Sequence, residues 1–237
     1  MSFVELDENF DRAKSVDGAL PSFEDIRIYP VQGRPRGLYR CYGKRALEIT
    51  LILIAALPIL MVLLPLAVAV ALDGGSPFYS QMRVGRHGRL YRMWKLRSMV
   101  PGAEAMLEAH LTENPRARAE WGATQKLRND PRVTRVGRLL RKTSLDELPQ
   151  LWNVLRGEMS LVGPRPMLNE QRVLYPGRDY YGLKPGITGL WQVSSRNESE
   201  FAERARFDTQ YNRELSLRTD LRVIAATVGV VCRGTGH

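Results

Sequence analysis

Residues Ile49–Leu72 read ITLILIAALPILMVLLPLAVAVAL, twenty-four residues without a charge and with prolines at 58 and 65. As a helix this stretch would extend about 36 Å at roughly 1.5 Å per residue, long enough to cross a bilayer. Pro58 cannot donate to the carbonyl of Ile54 and its ring crowds that carbonyl, so a kink or break is expected there. Basic residues stand at both ends: Arg34, Arg36, Arg40, Lys44 and Arg45 before the run, and Arg83, Arg86, Arg89, Arg92, Lys95 and Arg97 after it. A spanning helix normally carries its basic flank on the cytoplasmic side only. Charge at both ends therefore suits a helix that dips into one leaflet, bends at Pro58 and returns to the same face. An ordinary spanning anchor with a tolerated proline is the alternative.

The 237 residues can hold one substantial domain beside this anchor, and the formal net charge is +10. Residues 1–30 carry seven acids and three bases, so residues 31–237 carry +14. A basic body beside an apolar anchor points to anionic lipid headgroups, an anionic substrate, or both. Cys41 and Cys232 lie far apart, and the histidines at 87, 110 and 237 are scattered. Neither a disulfide framework nor a zinc site follows, which fits a reducing cytoplasm. The acidic, polar N-terminus does not have the form of a cleavable signal peptide.

Three units are expected: a flexible segment 1–37, a membrane segment 38–73 with an amphipathic lead-in, and a body 74–237. Asp73-Gly74-Gly75-Ser76-Pro77 is a turn. Residues 78–99 alternate apolar and basic side chains around the Gly85–Gly88 turn, as short strands or an interfacial segment would. Helices are expected at 101–122 (divided by Pro115), 133–142, 145–155, 167–175, 198–215 and 220–232. The fold class is mainly α with minor irregular β.

The sharpest chemical cluster is Arg141-Lys142-Thr143-Ser144-Leu145-Asp146-Glu147. Side chains of adjacent helical residues point about 100° apart, so Asp146 and Glu147 would not share one proton. They can divide labour, one attacking or accepting a proton and the other holding a metal. Ser144 followed by Glu147 also fits a capping box, with acids in a first turn favoured by the helix dipole. Both readings stand. Gly163-Pro164-Arg165-Pro166 clamps one arginine between prolines, as a plain loop or as a pre-organised phosphate fork. Lys95 and Arg97, beside Trp94, suit a headgroup patch or an anion site. Trp191, Gln192 and Arg196 suit stacking on a base or sugar, or a buried tryptophan.

Taken together these motifs resemble one family. They run in order through Lys44-Arg45, the apolar run with Pro58, Gly75–Tyr79, Gln81, Arg83-Val84-Gly85 and Lys95–Met99. They continue through Asp130–Thr134, Gly137, Leu140–Gln150, Asn153–Pro166 and Lys184–Val193, and close with Asp208, Tyr211, Ser216 and Asp220. The chain from about Tyr39 to Val231 resembles the bacterial sugar transferases, monotopic polyprenyl-phosphate phosphoglycosyl transferases. Residues 104–128 and 233–236 look most like the branch that initiates exopolysaccharides with galactose or glucose. Ser195 departs from the glycine usual before Arg196.

The resemblance implies a fold and a reaction. The membrane segment would be a re-entrant helix-break-helix hairpin broken at Pro58, flanked by amphipathic interfacial helices and a small cytoplasmic catalytic domain at the bacterial inner membrane. A UDP-sugar would give its sugar-1-phosphate to undecaprenyl phosphate and release UMP. Asp146 would be the nucleophile and Glu147 the ligand of Mg²⁺. Lys95, Arg97, Arg141, Arg165, Gln192 and Arg196 would hold phosphate or nucleotide. The family allows homodimers. No nucleic-acid reading module is recognised, so nucleic acid is not an expected partner. The rival class is a non-catalytic membrane-bound protein that binds anionic lipid or nucleic acid, which would need the charge but not the Asp146-Glu147 pair.

Overall fold

A computed structural model describes residues 37–124, 127, 129–194 and 201–232. The expected flexibility of residues 1–37 falls almost wholly outside them. A π-helical turn, Tyr39–Gly43, leads directly into helix α1, Lys44–Leu72. Pro58 and Pro65 both lie inside α1, which stays helical throughout. The expected break at Pro58 is therefore not a break in the helix. Each proline removes one donor, while neighbouring turns keep their own bonds, and an apolar surrounding offers a freed backbone nothing better.

Both ends of α1 rest on one body. At its start Lys44 Nζ donates to Val162 O at 3.0 Å and to Tyr211 Oη at 2.9 Å, and pairs with Asp220 at 2.7 Å. Arg45 donates to the carbonyls of Val154 and Leu155. Buried Glu48 accepts from Ser160 Oγ and Leu161 N. Ile52 packs into a core with Tyr91, Met93, Val154 and Met159. At the far end Val70 packs with Leu96 and Leu140, and Arg97 Nη2 caps the Val70 carbonyl at 2.8 Å. Between these anchors Leu53, Ile54, Leu57, Leu60, Met61 and Leu64 are exposed. Such an apolar surface is far larger than a soluble domain leaves bare.

After the turn at Gly74 and Gly75, both with positive φ, strands β1 (Phe78–Val84) and β2 (Leu90–Leu96) form an antiparallel hairpin from Phe78↔Leu96 to Val84↔Leu90. The expected strands about Gly85–Gly88 are present. Helices α2 (Ala103–Glu113) and α3 (Pro115–Thr124) divide at Pro115, and α4 spans Arg135–Thr143. Thr134 caps α4 through its side chain, accepting from Gly137 N. The expected helix 145–155 is divided instead into a 3₁₀ turn, Leu145–Glu147, and α5, Gln150–Arg156, with Pro149 between them.

Strands β3 (Ser160–Val162) and β4 (Gly186–Thr188) form a short parallel pair. A 3₁₀ turn, Glu170–Leu174, replaces the helix expected at 167–175. Short helices α6 (Asp179–Gly182) and α7 (Leu190–Ser194), a 3₁₀ turn at Phe201–Glu203, and helices α8 (Arg204–Glu214) and α9 (Leu217–Cys232) complete the described chain. Tyr175, Tyr180, Tyr181 and Phe201 pack edge to face beneath α8. The outward face of α9 carries exposed Leu217, Leu221 and Val228 beside exposed Arg218 and Arg222.

Lys44, Asp220 and Tyr211 form the joint between membrane helix and body. Asp220→Ala leaves the Lys44 ammonium largely buried with only Glu48, at 3.4 Å, as a counter-charge. Stability should fall by about 3–5 kcal/mol, measured by denaturant unfolding in micelles. A change below about 1 kcal/mol would mean the joint is dispensable.

Candidate active site

The site begins at a backbone conformation. Ser144 has φ 57°, in the left-handed region, and ends α4 with its N–H donating to Arg141 O. It makes no side-chain cap, and the capping box proposed for Ser144 and Glu147 is absent. The left-handed residue reverses the chain before the 3₁₀ turn begins, and the Glu147 carboxylate is engaged by a lysine from another element.

That lysine is Lys95, on β2. Its Nζ lies 3.2 Å from Asp146 Oδ2 and 2.8 Å from Glu147 Oε1. One ammonium thus gathers both carboxylates. Asn153 fixes the turn against the strand by accepting from Trp94 N at 3.1 Å and donating to Arg92 O at 2.8 Å. Burial pushes the Asp146 carboxyl above its usual range, and the Glu147 charge adds to this, while Lys95 and Arg141 oppose it. Burial alone would lower Lys95, but the charges of Glu147 and Asp146 outweigh it and hold the ammonium above its usual range. Asp146 is therefore less readily ionised than a free aspartate, with the Lys95 ammonium beside it.

Arg141, in the last turn of α4, donates from Nε to Ser98 Oγ at 3.0 Å, and its charge bears on Asp146. The charge of Arg165 bears on Lys95, and its guanidinium stands 5.7 Å from the centre of the Trp191 ring. The loop that carries Arg165 is set by backbone packing. A Cβ on Gly163 would fall 2.3 Å from Lys184 O, and one on Gly189 would fall 2.1 Å from Gly163 O. Without glycine at these points the Arg165 loop and the Trp191 helix could not close on each other.

The structure thus brings Lys95, Arg141, Asp146, Glu147 and Arg165 together. Arg97 is turned away to the Val70 carbonyl, with its Nε and Nη1 buried and unpartnered. Gln192 is buried; its Nε2 stands 3.5 Å from Ile187 O, and its Oε1 has no partner. Arg196 lies outside the described residues. Sequence reasoning missed Arg83 and Arg204, whose guanidiniums approach Arg165 closely enough to affect one another. Arg83 stands in a motif of the resemblance; Arg204, inside a charged helix, gives no local signal.

Among the described residues, no three His, Cys, Asp or Glu side chains converge as a protein-only metal cage. Mg²⁺ does not need one, because it is commonly held by one or two carboxylates, water and substrate phosphate. Asp146 and Glu147, close enough to share one ammonium, fit that arrangement.

Residues 39–234 match the family model of bacterial sugar transferases. The chain belongs to the bacterial sugar transferase family. It is 50% identical over 201 residues to a UDP-galactose-lipid carrier transferase of Erwinia amylovora, covering 82% of this chain and 42% of that protein. It is 46% identical over 200 residues to an undecaprenyl-phosphate galactose phosphotransferase of Salmonella typhimurium, covering 82% and 42%. To the exopolysaccharide production protein ExoY of Rhizobium meliloti it is 43% identical over 211 residues, covering 88% and 90%. The chain thus spans less than half of the first two relatives and most of the third. The family expected from the ordered motifs is the family found.

The Lys95 ammonium holds the Asp146 carboxyl down against burial. In Lys95→Met the Asp146 carboxyl should titrate at a higher pH than in the unmodified protein, followed by ¹³C NMR of labelled aspartate. An equal or lower midpoint would place Lys95 outside the field of Asp146.

Proposed function

We propose that this protein transfers a sugar-1-phosphate from a UDP-sugar to undecaprenyl phosphate, releasing UMP, as the first membrane step of exopolysaccharide or other surface glycan synthesis. The observation that carries the reading is the pair of adjacent acids on one rigid turn, both gathered by Lys95 and flanked by Arg141 and Arg165. A diphosphate donor brings charge that must be neutralised before a carboxylate can approach phosphorus.

Asp146 attacks the β-phosphorus, and the bond to the bridging oxygen breaks with its electron pair leaving on UMP. The phosphosugar then sits on Asp146 as an acyl phosphate. The acceptor phosphate oxygen attacks the same phosphorus, and the carboxylate leaves. A covalent intermediate lets two bulky anions react one after the other at one site. Lys95 stays an ammonium throughout and faces the charge that builds on the phosphate oxygens. Glu147 would hold Mg²⁺, which when bound neutralises further phosphate charge. Galactose, named in two relatives, and glucose are the first sugars to test; homodimers are compatible with the reading.

The membrane segment is a re-entrant helix bent near Pro58, seated in one leaflet of the bacterial inner membrane with the catalytic unit in the cytoplasm. Both ends of α1 are held by one body while its middle is bare, and the outer face of α9 offers leucine and valine beside arginine to the same lipid surface. A soluble donor and a membrane-bound acceptor can then meet where Asp146 lies.

Incubated with UDP-galactose or UDP-glucose alone, the protein should acquire a phosphosugar on the Asp146 peptide, seen by mass spectrometry. Asp146→Asn should lose UMP release by several orders of magnitude, and EDTA should abolish turnover. An adduct elsewhere or an active Asn variant rejects the nucleophile; full turnover without metal rejects the role of Glu147. A membrane-bound protein that only binds lipid or nucleic acid would show none of these losses.

Topology has its own check. Cysteines placed singly at Ser15 and Ser199, in a background lacking Cys41 and Cys232, should both resist an impermeant maleimide in intact cells and label after lysis. Labelling of the Ser15 position in intact cells would mean that α1 spans.

A further inference from the structure

Arg165 and Arg204 come from distant elements and gather about Trp191, and Arg83 stands near enough for its charge to bear on Arg204 and to feel that of Arg165. The Arg204 guanidinium lies 4.3 Å from the Trp191 ring centre and 4.6 Å from that of Phe201, and Arg165 approaches Trp191 at 5.7 Å. Arg83 spends one nitrogen on Gln81, at 2.7 Å, and its Nε is buried without a partner, as is the Nε of Arg204. Three guanidiniums so close repel one another. Burial lowers the Arg204 pKa, and Arg165 and Arg83 lower it further, to about 10.

The nearby Asp208 carboxyl offsets only part of this. Asp208 already accepts a hydrogen bond from Tyr175 Oη at 2.6 Å, and burial pushes it up to about 7. Guanidiniums that no acid among the described residues fully balances, on an aromatic platform, suit a phosphate dianion, which can take forked hydrogen bonds from more than one of them.

The place of this cluster relative to Asp146 gives it a use. Lys95 touches Asp146, the charge of Arg165 bears on Lys95, and Arg83 and Arg204 in turn feel the charge of Arg165. Phosphoryl transfer keeps the entering and leaving oxygens roughly in line through phosphorus. In the first displacement UMP leaves on the side opposite Asp146. In the second Asp146 is the leaving group, so the acceptor oxygen enters from the side UMP vacated.

We propose that Arg165 and Arg204 on Trp191, with Arg83 beside them, form one phosphate-monoester subsite used twice, first by the departing nucleoside monophosphate and then by the phosphate of the lipid acceptor. This rests on the covalent reading of the function and assigns roles to Arg83 and Arg204 within it.

The two half-reactions separate the two uses. Exchange of labelled UMP into UDP-galactose without acceptor reports the first; discharge of the isolated phosphosugar adduct by undecaprenyl phosphate reports the second. Arg204→Gln and Arg83→Gln should each slow both by about 10–100-fold, with partial recovery in Arg204→Lys. Loss in one half-reaction only would overturn the shared subsite, and loss in neither would make both arginines scaffold. Should the variants unfold in micelles, the unmodified protein decides: UMP must compete with undecaprenyl phosphate for the adduct, returning UDP-galactose, and absence of competition overturns the proposal. If the unmodified protein forms no adduct at all, the covalent reading fails by itself. Calorimetric UMP binding, weakened 10–100-fold in Arg204→Gln, would then still support an anion site, and unchanged binding would reject it.

Discussion

The ammonium of Lys44 joins the two halves of this molecule. It sits at the first turn of an apolar helix and is held by Asp220, Tyr211 and the carbonyl of Val162. Tyr39 adds a hydrogen bond to Asp220 at 2.6 Å from the preceding turn. Val162 immediately precedes Gly163 and the loop that carries Arg165, so the membrane helix is tied to the loop facing the candidate nucleophile. A buried ion pair is a poor source of stability but a specific one, because its partners tolerate few other arrangements. Here it fixes the depth and direction in which the apolar segment leaves the body.

Within the site, two carboxylates share one ammonium, so they need not be equivalent. Glu147 makes the shorter contact with Lys95, and burial raises Asp146. A raised carboxyl is a better nucleophile when ionised but is ionised less often, and the cations on either side restore the balance. The charge of Arg141 bears on Asp146 and that of Arg165 on Lys95. Such a concentration of cations about two acids suits an anionic ligand.

Part of this was legible in the chain itself. The uncharged run at 49–72 determined a long apolar helix, and alternation about Gly85–Gly88 suited the strands that form there. Pro115 determined where one helix divides, because a missing donor acts locally; the division at Pro149 went unread. The order of motifs determined the family, and the adjacency of Asp146 and Glu147 marked the candidate site. Where local rules competed, the sequence misled: Ser144 and Glu147 have the spacing of a capping box, but the left-handed turn at Ser144 and the pull of Lys95 override it.

Only the tertiary structure decided which charges meet. Lys95 and Asp146 are 51 residues apart, and nothing periodic links them. Arg83, Arg165 and Arg204 lie on a strand, a loop and a helix start, and they converge because Gly163 and Gly189 allow backbone to touch backbone. Arg97 and Gln192, equally plausible in the chain as substrate ligands, turn to the carbonyls of Val70 and Ile187. Hydrophobic period and turn chemistry act over a few residues and so appear in one dimension. The meeting of distant charges depends on close packing in three dimensions, which no local pattern encodes.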